Sequence, residues 1–530
     1  LHLHFPQSLL IVSLFDTPPG LSSKQMAETE TKEAILASIL KRAREFGGLR
    51  ECDYDLNLPL LLNPPESPLA CRETPDEFKA TNASFSAQVH AFFEALHEFE
   101  SKSTSTDGDE FIRADGLQPS IRVINQSFDI HPSCLHRNFH SRRLFLLGSD
   151  GNDNDNDATA SLPQLQRVTV LRLTPRPNFV SDIAYENARP VSPALPLQLA
   201  TRCPNLRRIE CPWLWERTPP AFRLRSVRHF TRPWEGPWRD ARRDFGRAVA
   251  ELGGRLPDSL ASARLWFWRP ESFYREGDQA APMPNLVGPE GEDPVSLGLR
   301  ELGGRLEELD VRAFVTPDLF RAPVTWPRMK RLRVEFHPWC PDGTWYFAGP
   351  GDDVSTGPER GFEITEEHYP PEATTELDEE IDEEYLDDEG TDEEAEFDTN
   401  MFRTEPLPSN IKPLLLGFAE ALKGMSALEE AELFAWLAWR PSEERRSTYG
   451  GADEAPFNMD RAIYKWGVKY APGKDGSKGV VTWQVGSWRP HENVIRAFET
   501  LGGENGGVDT VWNPLEFLDQ RNDLRPTDYH

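Results

Sequence analysis

Six short stretches carry apolar positions that alternate with charged ones, five of them close to an L-x-x-L-x-L pattern. They are Val168–Leu173, Pro204–Cys211, Ala263–Phe267, Leu306–Val311, Pro327–Val334 and Leu428–Leu433. An alternation of period two predicts strands with one face turned inward and one outward. The charged residues in between, such as Arg207, Arg208 and Glu210 or Glu307, Glu308 and Asp310, are predicted to line the outward face. Ahead of the strands lie apolar residues at helical spacing. Phe245, Ala248, Val249 and Leu252 precede the third strand, and the stretch Leu414–Leu422 precedes the sixth.

The hexapeptide Glu251–Leu256 returns as Glu301–Leu306, each time between a predicted helix and a predicted strand. Glycine just past a helix supplies a left-handed residue that closes it, so one of Gly253 and Gly254, and one of Gly303 and Gly304, is predicted there. A recurring helix–Gly–strand unit cannot bury its own apolar face and has to stack. The expected fold is therefore α/β, an irregular leucine-rich-repeat-like solenoid of parallel strands plus helices with long disordered insertions. The alternative is an ordinary α/β domain with a parallel sheet. The spacing makes it irregular: Leu171, Ile209, Ala263, Leu309, Leu332 and Ala431 are 38, 54, 46, 23 and 99 residues apart. A regular repeat holds near about 20–29.

The longest gap is filled by acid. Gly361–Phe402 holds nineteen Asp or Glu and no Lys or Arg, and without these acids the net charge would move from −29 to −10. Repulsion at that density opposes packing and predicts a disordered insertion over 361–402. The expected organisation has a disordered or mispredicted N-terminus over 1–26, an N-terminal α/β part over 27–147 and an Asn/Asp-rich linker over 148–160. Residues 161–360 form a Trp-rich repeat-like region, and 403–530 a C-terminal repeat-like region. The basic stretch Arg223–Arg247 is read as a solvated helix face or a contact for the acidic insertion. The acidic balance excludes nucleic acid as a partner. No stretch reaches about 18 apolar residues, so no membrane partner is expected. Six cysteines without a C-x-x-C pair fit a reducing intracellular compartment, cytoplasm or nucleus, better than a disulfide framework.

All 15 tryptophans lie at or after Trp213. Trp213, Trp215, Trp266, Trp268, Trp436 and Trp439 stand beside predicted strands and make a candidate interaction surface, since indoles are enriched at binding hot spots. Core packing is the competing role. His131, Cys134, His136 and His140 are of zinc-ligating type, but no second cluster with matching spacing exists, and no metal site is predicted. Gly473–Gly479 lacks the order of a phosphate-binding loop. Asp153–Asp157 begins like a calcium loop without its glycine, and Gln164 stands where the closing Glu belongs. With H-E-x-x-H, G-x-S-x-G and G-x-G-x-x-G all absent, no catalytic residue and no cofactor is predicted.

The segments Gly48–Pro59 (GLRECDYDLNLP), Phe92–Glu100 (FFEALHEFE), Cys203–Glu216 (CPNLRRIECPWLWE), Thr325–Glu335 (TWPRMKRLRVE) and Val481–Gly503 resemble the body of fungal F-box-associated proteins from filamentous ascomycetes. That family carries a degenerate leucine-rich-repeat-like region of unknown function, and the resemblance spans roughly residues 35–520. It implies a non-enzymatic protein-recognition scaffold with an as yet unknown protein partner. If an F-box precedes it, the scaffold would be a substrate receptor of a cullin-based ubiquitin ligase. The F-box of such proteins commonly ends before the segment matching Gly48–Pro59. The sequence Leu1–Gln25 shows no L-P-x-E start, so the F-box-binding adaptor is not expected to bind residues 1–530, and Met26 is an alternative start. The other readings carried are an intracellular enzyme with a site on the strand-end loops and a regulatory scaffold unrelated to ubiquitination.

Overall fold

The computed structural model describes residues 31–518 except 104–111, 124–125, 131–133, 135, 139–141, 149–158, 176–188, 213, 215, 217–228, 231, 233, 269–277, 289–290, 322, 351–359, 388–399, 450–455, 475–476 and 503–506. The predicted N-terminal tail 1–26 and nearly all of the predicted linker 148–160 lie outside these residues.

The fold is α/β, built on a 12-stranded, mostly parallel sheet that does not close into a barrel. Strands β1 (Glu51–Leu56), β2 (Gln118–Val123), β3 (Val170–Pro175), β4 (Arg208–Cys211), β5 (Ser262–Trp266), β6 (Glu308–Ala313) and β7 (Arg331–Phe336) lie side by side in chain order. Each pairs in parallel with the next. After the two short strands β8 (Phe347–Ala348) and β9 (Glu405–Pro406), which pair with each other, β10 (Glu430–Trp439) joins β7 in parallel. The sheet then turns antiparallel through β11 (Ala462–Ala471) and β12 (Gly479–Gln484), which pairs in parallel with β13 (Val508–Asn513). The short β14 (Glu516–Phe517) pairs with β11. Within 403–530 the strands after β10 therefore pair antiparallel, except β12 with β13.

The alternation read from sequence is what the sheet uses. Leu171, Ile209, Ala263, Leu309, Leu332 and Ala431 pair in register as one unbroken row across six neighbouring strands, despite their unequal spacing. All six are buried. Parallel neighbours added in one direction, each reached by a right-handed crossover, send their connections to the same face. That face is covered by α1 (Lys32–Glu45), α2 (Pro75–Ser103), α3 (Leu195–Ala200), α4 (Glu235–Leu252) and α5 (Pro294–Gly303). Later come α6 (Glu376–Asp387), α7 (Pro408–Lys423), α8 (Glu443–Thr448) and α9 (Glu492–Glu499), of which α7 and α9 join the same layer.

The helix stripes explain their seating. Phe85, Val89, Phe92, Leu96 and Phe99 of α2 recur every three or four residues and are buried, as are Trp238, Phe245, Val249 and Leu252 of α4. Thr31 caps α1 by accepting a hydrogen bond from the Ala34 amide. One apolar cluster runs from Ile35 to Phe498 through strands and helices alike. Because β2 pairs directly with β3, the sheet is continuous across the predicted linker.

Two expectations are corrected. The first is the cap glycines: Gly253 and Gly304 close α4 and α5 with φ of −50° and −60°, and neither repeat pair is among the positive-φ glycines. The hexapeptide does join helix to strand twice, but without a left-handed residue. At Gly303 the reason for glycine is contact. A Cβ there would lie 2.7 Å from the Trp326 indole.

The second is the acidic segment. Residues 361–387 are folded onto the body. Gly361 and Phe362 hydrogen-bond to Asp342 and Met283. Tyr369 accepts from Arg239 at 3.0 Å and donates to Asp240 at 2.9 Å. Asp378 of α6 is fully buried against Arg72. Composition points to repulsion because the countercharge comes from a position 306 residues away in the chain. The basic stretch contributes too, through Arg239, so its reading as a contact for the acidic segment is the one realised there.

Candidate functional site

The sheet face opposite the helices carries its outward residues in straight rows. One row crosses seven strands as Arg172, Glu210, Arg264, Asp310, Arg333, Glu432 and Lys469, and the sign alternates at every step. A parallel row runs Arg208, Ser262, Glu308, Arg331 and Glu430. Opposite charges facing each other across a sheet favour the register, whereas like charges would oppose it.

The pairs are made. Arg172 Nε is 2.7 Å from Glu210 Oε2, and Arg264 Nε is 3.3 Å from Asp310 Oδ2. Arg333 Nη1 is 3.1 Å from the other Asp310 oxygen. Lys465 Nζ reaches Glu432 Oε1 at 2.6 Å, and Lys469 Nζ reaches Glu430 Oε2 at 2.8 Å. Burial alone would push the Glu210 carboxyl up, but the hydrogen bond from Arg172 and the charges of Arg172, Arg264 and Arg208 hold it below its ordinary value. The middle of this face is a depression of about 240 Å³ lined by the two rows.

A third row, Trp266, Arg312, Glu335 and Phe434, closes the face at the strand ends. Here the side chains are buried. The Arg312 guanidinium lies 4.1 Å from the Trp266 ring centroid, and its Nε is 3.0 Å from Glu335 Oε2. The Trp266 indole N–H donates to Asp310 at 3.2 Å, which ties this row to the first. Neither histidine nor cysteine stands in the three rows.

The candidate tryptophans do not form one surface. Trp266 lies on this face but is only 4 % exposed. Trp268 is buried beside Phe314 and His337. Trp439 is buried against Tyr449 and Phe457, donating its N–H to the Met459 carbonyl at 3.2 Å. Trp436 is half-buried between two apolar clusters. Trp213 and Trp215 lie outside the described residues. Packing, not display, is the role of Trp268 and Trp439, because large indoles at strand ends gain most from burial. The outward positions of this face carry arginine and acid instead. The signal was present in the charged residues interleaved along each strand.

A second constellation lies beneath α6. Cys71, Cys134, His136 and Asp382 bring their donor atoms within 4.8 Å of one another. Cys71 Sγ is 2.8 Å from Cys134 Sγ and 2.7 Å from His136 Nδ1. Cys134 and His136 belong to the cluster weighed from sequence. The partners that complete it, Cys71 and Asp382, come from distant stretches that spacing rules do not connect. His131 and His140 lie outside the described residues.

Among the described residues no helix is long and apolar enough to cross a membrane. No protein-family model, curated protein or solved structure matches this chain.

Proposed function

We propose that the chain is a non-enzymatic recognition scaffold of leucine-rich-repeat type that holds a protein partner on the open, charged sheet face. The observation that carries this reading is the double row of charges, left uncovered by the described residues, set in a shallow depression and fixed by the sheet register. With four arginines and five acids around the depression, the local field is nearly balanced. Such a surface suits a partner of interleaved acidic and basic side chains, which can exchange ion pairs with it, and suits neither a polyanion nor a polycation. Arginine at the centre of a patch is also a favoured anchor for protein contacts. The resemblance to fungal F-box-associated proteins extends the reading: with an F-box ahead of it, the scaffold would present substrates to a cullin-based ubiquitin ligase.

The test uses Arg208→Ala/Arg331→Ala. Both side chains are about half exposed, so the stability cost is small, roughly 0–1 kcal/mol per exposed pair. A partner captured by the full chain should bind the double variant roughly tenfold or more weakly. It should bind the helix-side control Lys423→Ala/Arg496→Ala unchanged. Undiminished binding by the face variant, or equal loss in both, contradicts the assignment.

A further inference from the structure

The four donors under α6 differ in chemistry from everything around them. Two free thiols, an imidazole and a carboxylate converge where Phe230 and Ile381 otherwise make an apolar pocket with Cys134. Burying polar groups at one point is costly unless something satisfies them. Asp382 Oδ1 is buried there without a hydrogen-bond partner.

We propose that Cys71, Cys134, His136 and Asp382 bind one zinc ion, which fastens the acidic helix α6 to the N-terminal part of the chain. Two thiolates with an imidazole and a carboxylate form a four-ligand set of borderline-soft character that suits zinc. Binding releases the two thiol protons to solvent, while His136 and Asp382 enter unprotonated. Zn–S bonds of about 2.3 Å in a tetrahedron require sulfurs about 3.8 Å apart. Each thiol therefore swings outward by about half an ångström from its present position.

The surroundings hold the ligands in place. With Nδ1 given to the metal, Nε2 of His136 carries the proton, and it stands 3.3 Å from Arg72 Nη2 and 3.5 Å from Asp378 Oδ1; releasing the Arg72 contact lets that N–H turn to the carboxylate, the carboxylate–histidine–zinc relation found around such ions. Asp378 is itself fixed by Arg72 at 2.5 and 2.7 Å, by the Thr375 amide at 2.8 Å, and by His229 at 2.6 Å. That grip also decides against the neighbouring trio His136, His229 and Asp378 as the ion's seat. The Arg72 guanidinium already occupies both Asp378 oxygens and would repel a second cation. A Cys71–Cys134 disulfide is the competing arrangement, but it would use neither the imidazole nor the carboxylate and would leave Asp382 Oδ1 unsatisfied.

The test is metal analysis on the full chain purified under reducing conditions without chelator. About one zinc per chain is expected. Exchange for cobalt(II) should give a thiolate-to-cobalt charge-transfer band and the visible absorption of a tetrahedral ion. Cys134→Ser should abolish the band, and Asp382→Asn should weaken metal affinity by about tenfold or more. Removing the ion should open α6 to protease. Should the variants fail to fold, the cobalt spectrum of the unaltered chain still decides. A chain that takes up no zinc and shows no charge-transfer band overturns the proposal. So does zinc content unchanged by Cys134→Ser, or a native Cys71–Cys134 cross-link in the peptide masses.

Discussion

The four glycines of the two hexapeptide copies offer a comparison, because sequence does not tell them apart and structure does. Consider Gly303→Ala beside Gly254→Ala. At Gly303 a Cβ would lie 2.7 Å from the Trp326 Cε2 and Cζ2 atoms, against an ordinary carbon contact of about 3.5–4.0 Å. The ring has to retreat by roughly 1 Å to restore that distance. Trp326 has little room, being 2 % exposed, packed against Phe320, and held by its N–H donating to the Arg300 carbonyl at 2.9 Å. Overpacking of this kind costs about 1–3 kcal/mol, and a strained or broken hydrogen bond adds about 1 kcal/mol. The helix preference for alanine returns at most about 1 kcal/mol at this last turn. The net is a destabilisation of about 1–3 kcal/mol. At Gly254 a Cβ meets nothing within 4 Å and φ is not positive, so alanine should stabilise by roughly 0.4–1 kcal/mol through the unfolded chain. Urea unfolding followed by tryptophan fluorescence reads both, with midpoints moving in opposite directions at unchanged slope. If both variants shift alike, or Gly303→Ala is neutral, contact with Trp326 is not why glycine stands there.

Three further outcomes are expected. Arg242→Met should destabilise by about 3–5 kcal/mol. It strands Glu216 and Asp293, both buried and both hydrogen-bonded to that guanidinium, and a thermal midpoint within a degree of the parent would contradict this. Arg72→Ala should release α6 and expose Glu376–Asp387 to limited proteolysis, whereas an unchanged digestion pattern would show that the Arg72–Asp378 pair does not hold the helix. As for pH, the Glu307 carboxyl is held below its ordinary value of 4.5 by the Lys330 and Arg328 hydrogen bonds, and Glu210 by Arg172 once burial is outweighed. Each lowered carboxyl stabilises the fold above about 4.5 and loses that contribution as the pH falls through its folded value. Glu210→Gln should therefore flatten the acid limb of the stability profile, and an acid limb of unchanged slope would remove Glu210 from the account.

What could be seen in the sequence was set by local rules. Period-two alternation placed six strands, and it chose one residue from each that proved to share a single row from Leu171 to Ala431. Helical spacing located α4 and α7. The charged residues between the apolar ones were correctly turned outward, but their pairing, Arg172 with Glu210 or Asp310 with Arg333, depends on register between strands and is not written in any one of them. Long-range neutralisation was hidden for the same reason. Nothing near Asp378 in the chain carries the positive charge that Arg72 brings to it. The convergence of Cys71 and Asp382 on Cys134 and His136 likewise exists only after folding. The tryptophans misled because an indole beside a strand serves a core as readily as a surface, and burial of Trp268 and Trp439 is decided by the loops over the strand ends.

The claim at the centre is that partners bind on the open sheet face, and placing a photo-cross-linking amino acid at single positions tests it most directly. Substituted at Arg208 or Lys469, on the charged rows, it should capture the bound partner. At Lys423 or Arg496, on the helical side, it should capture none. Cross-links confined to Lys423 and Arg496, with none from Arg208 or Lys469, would place recognition on the other face and contradict the account.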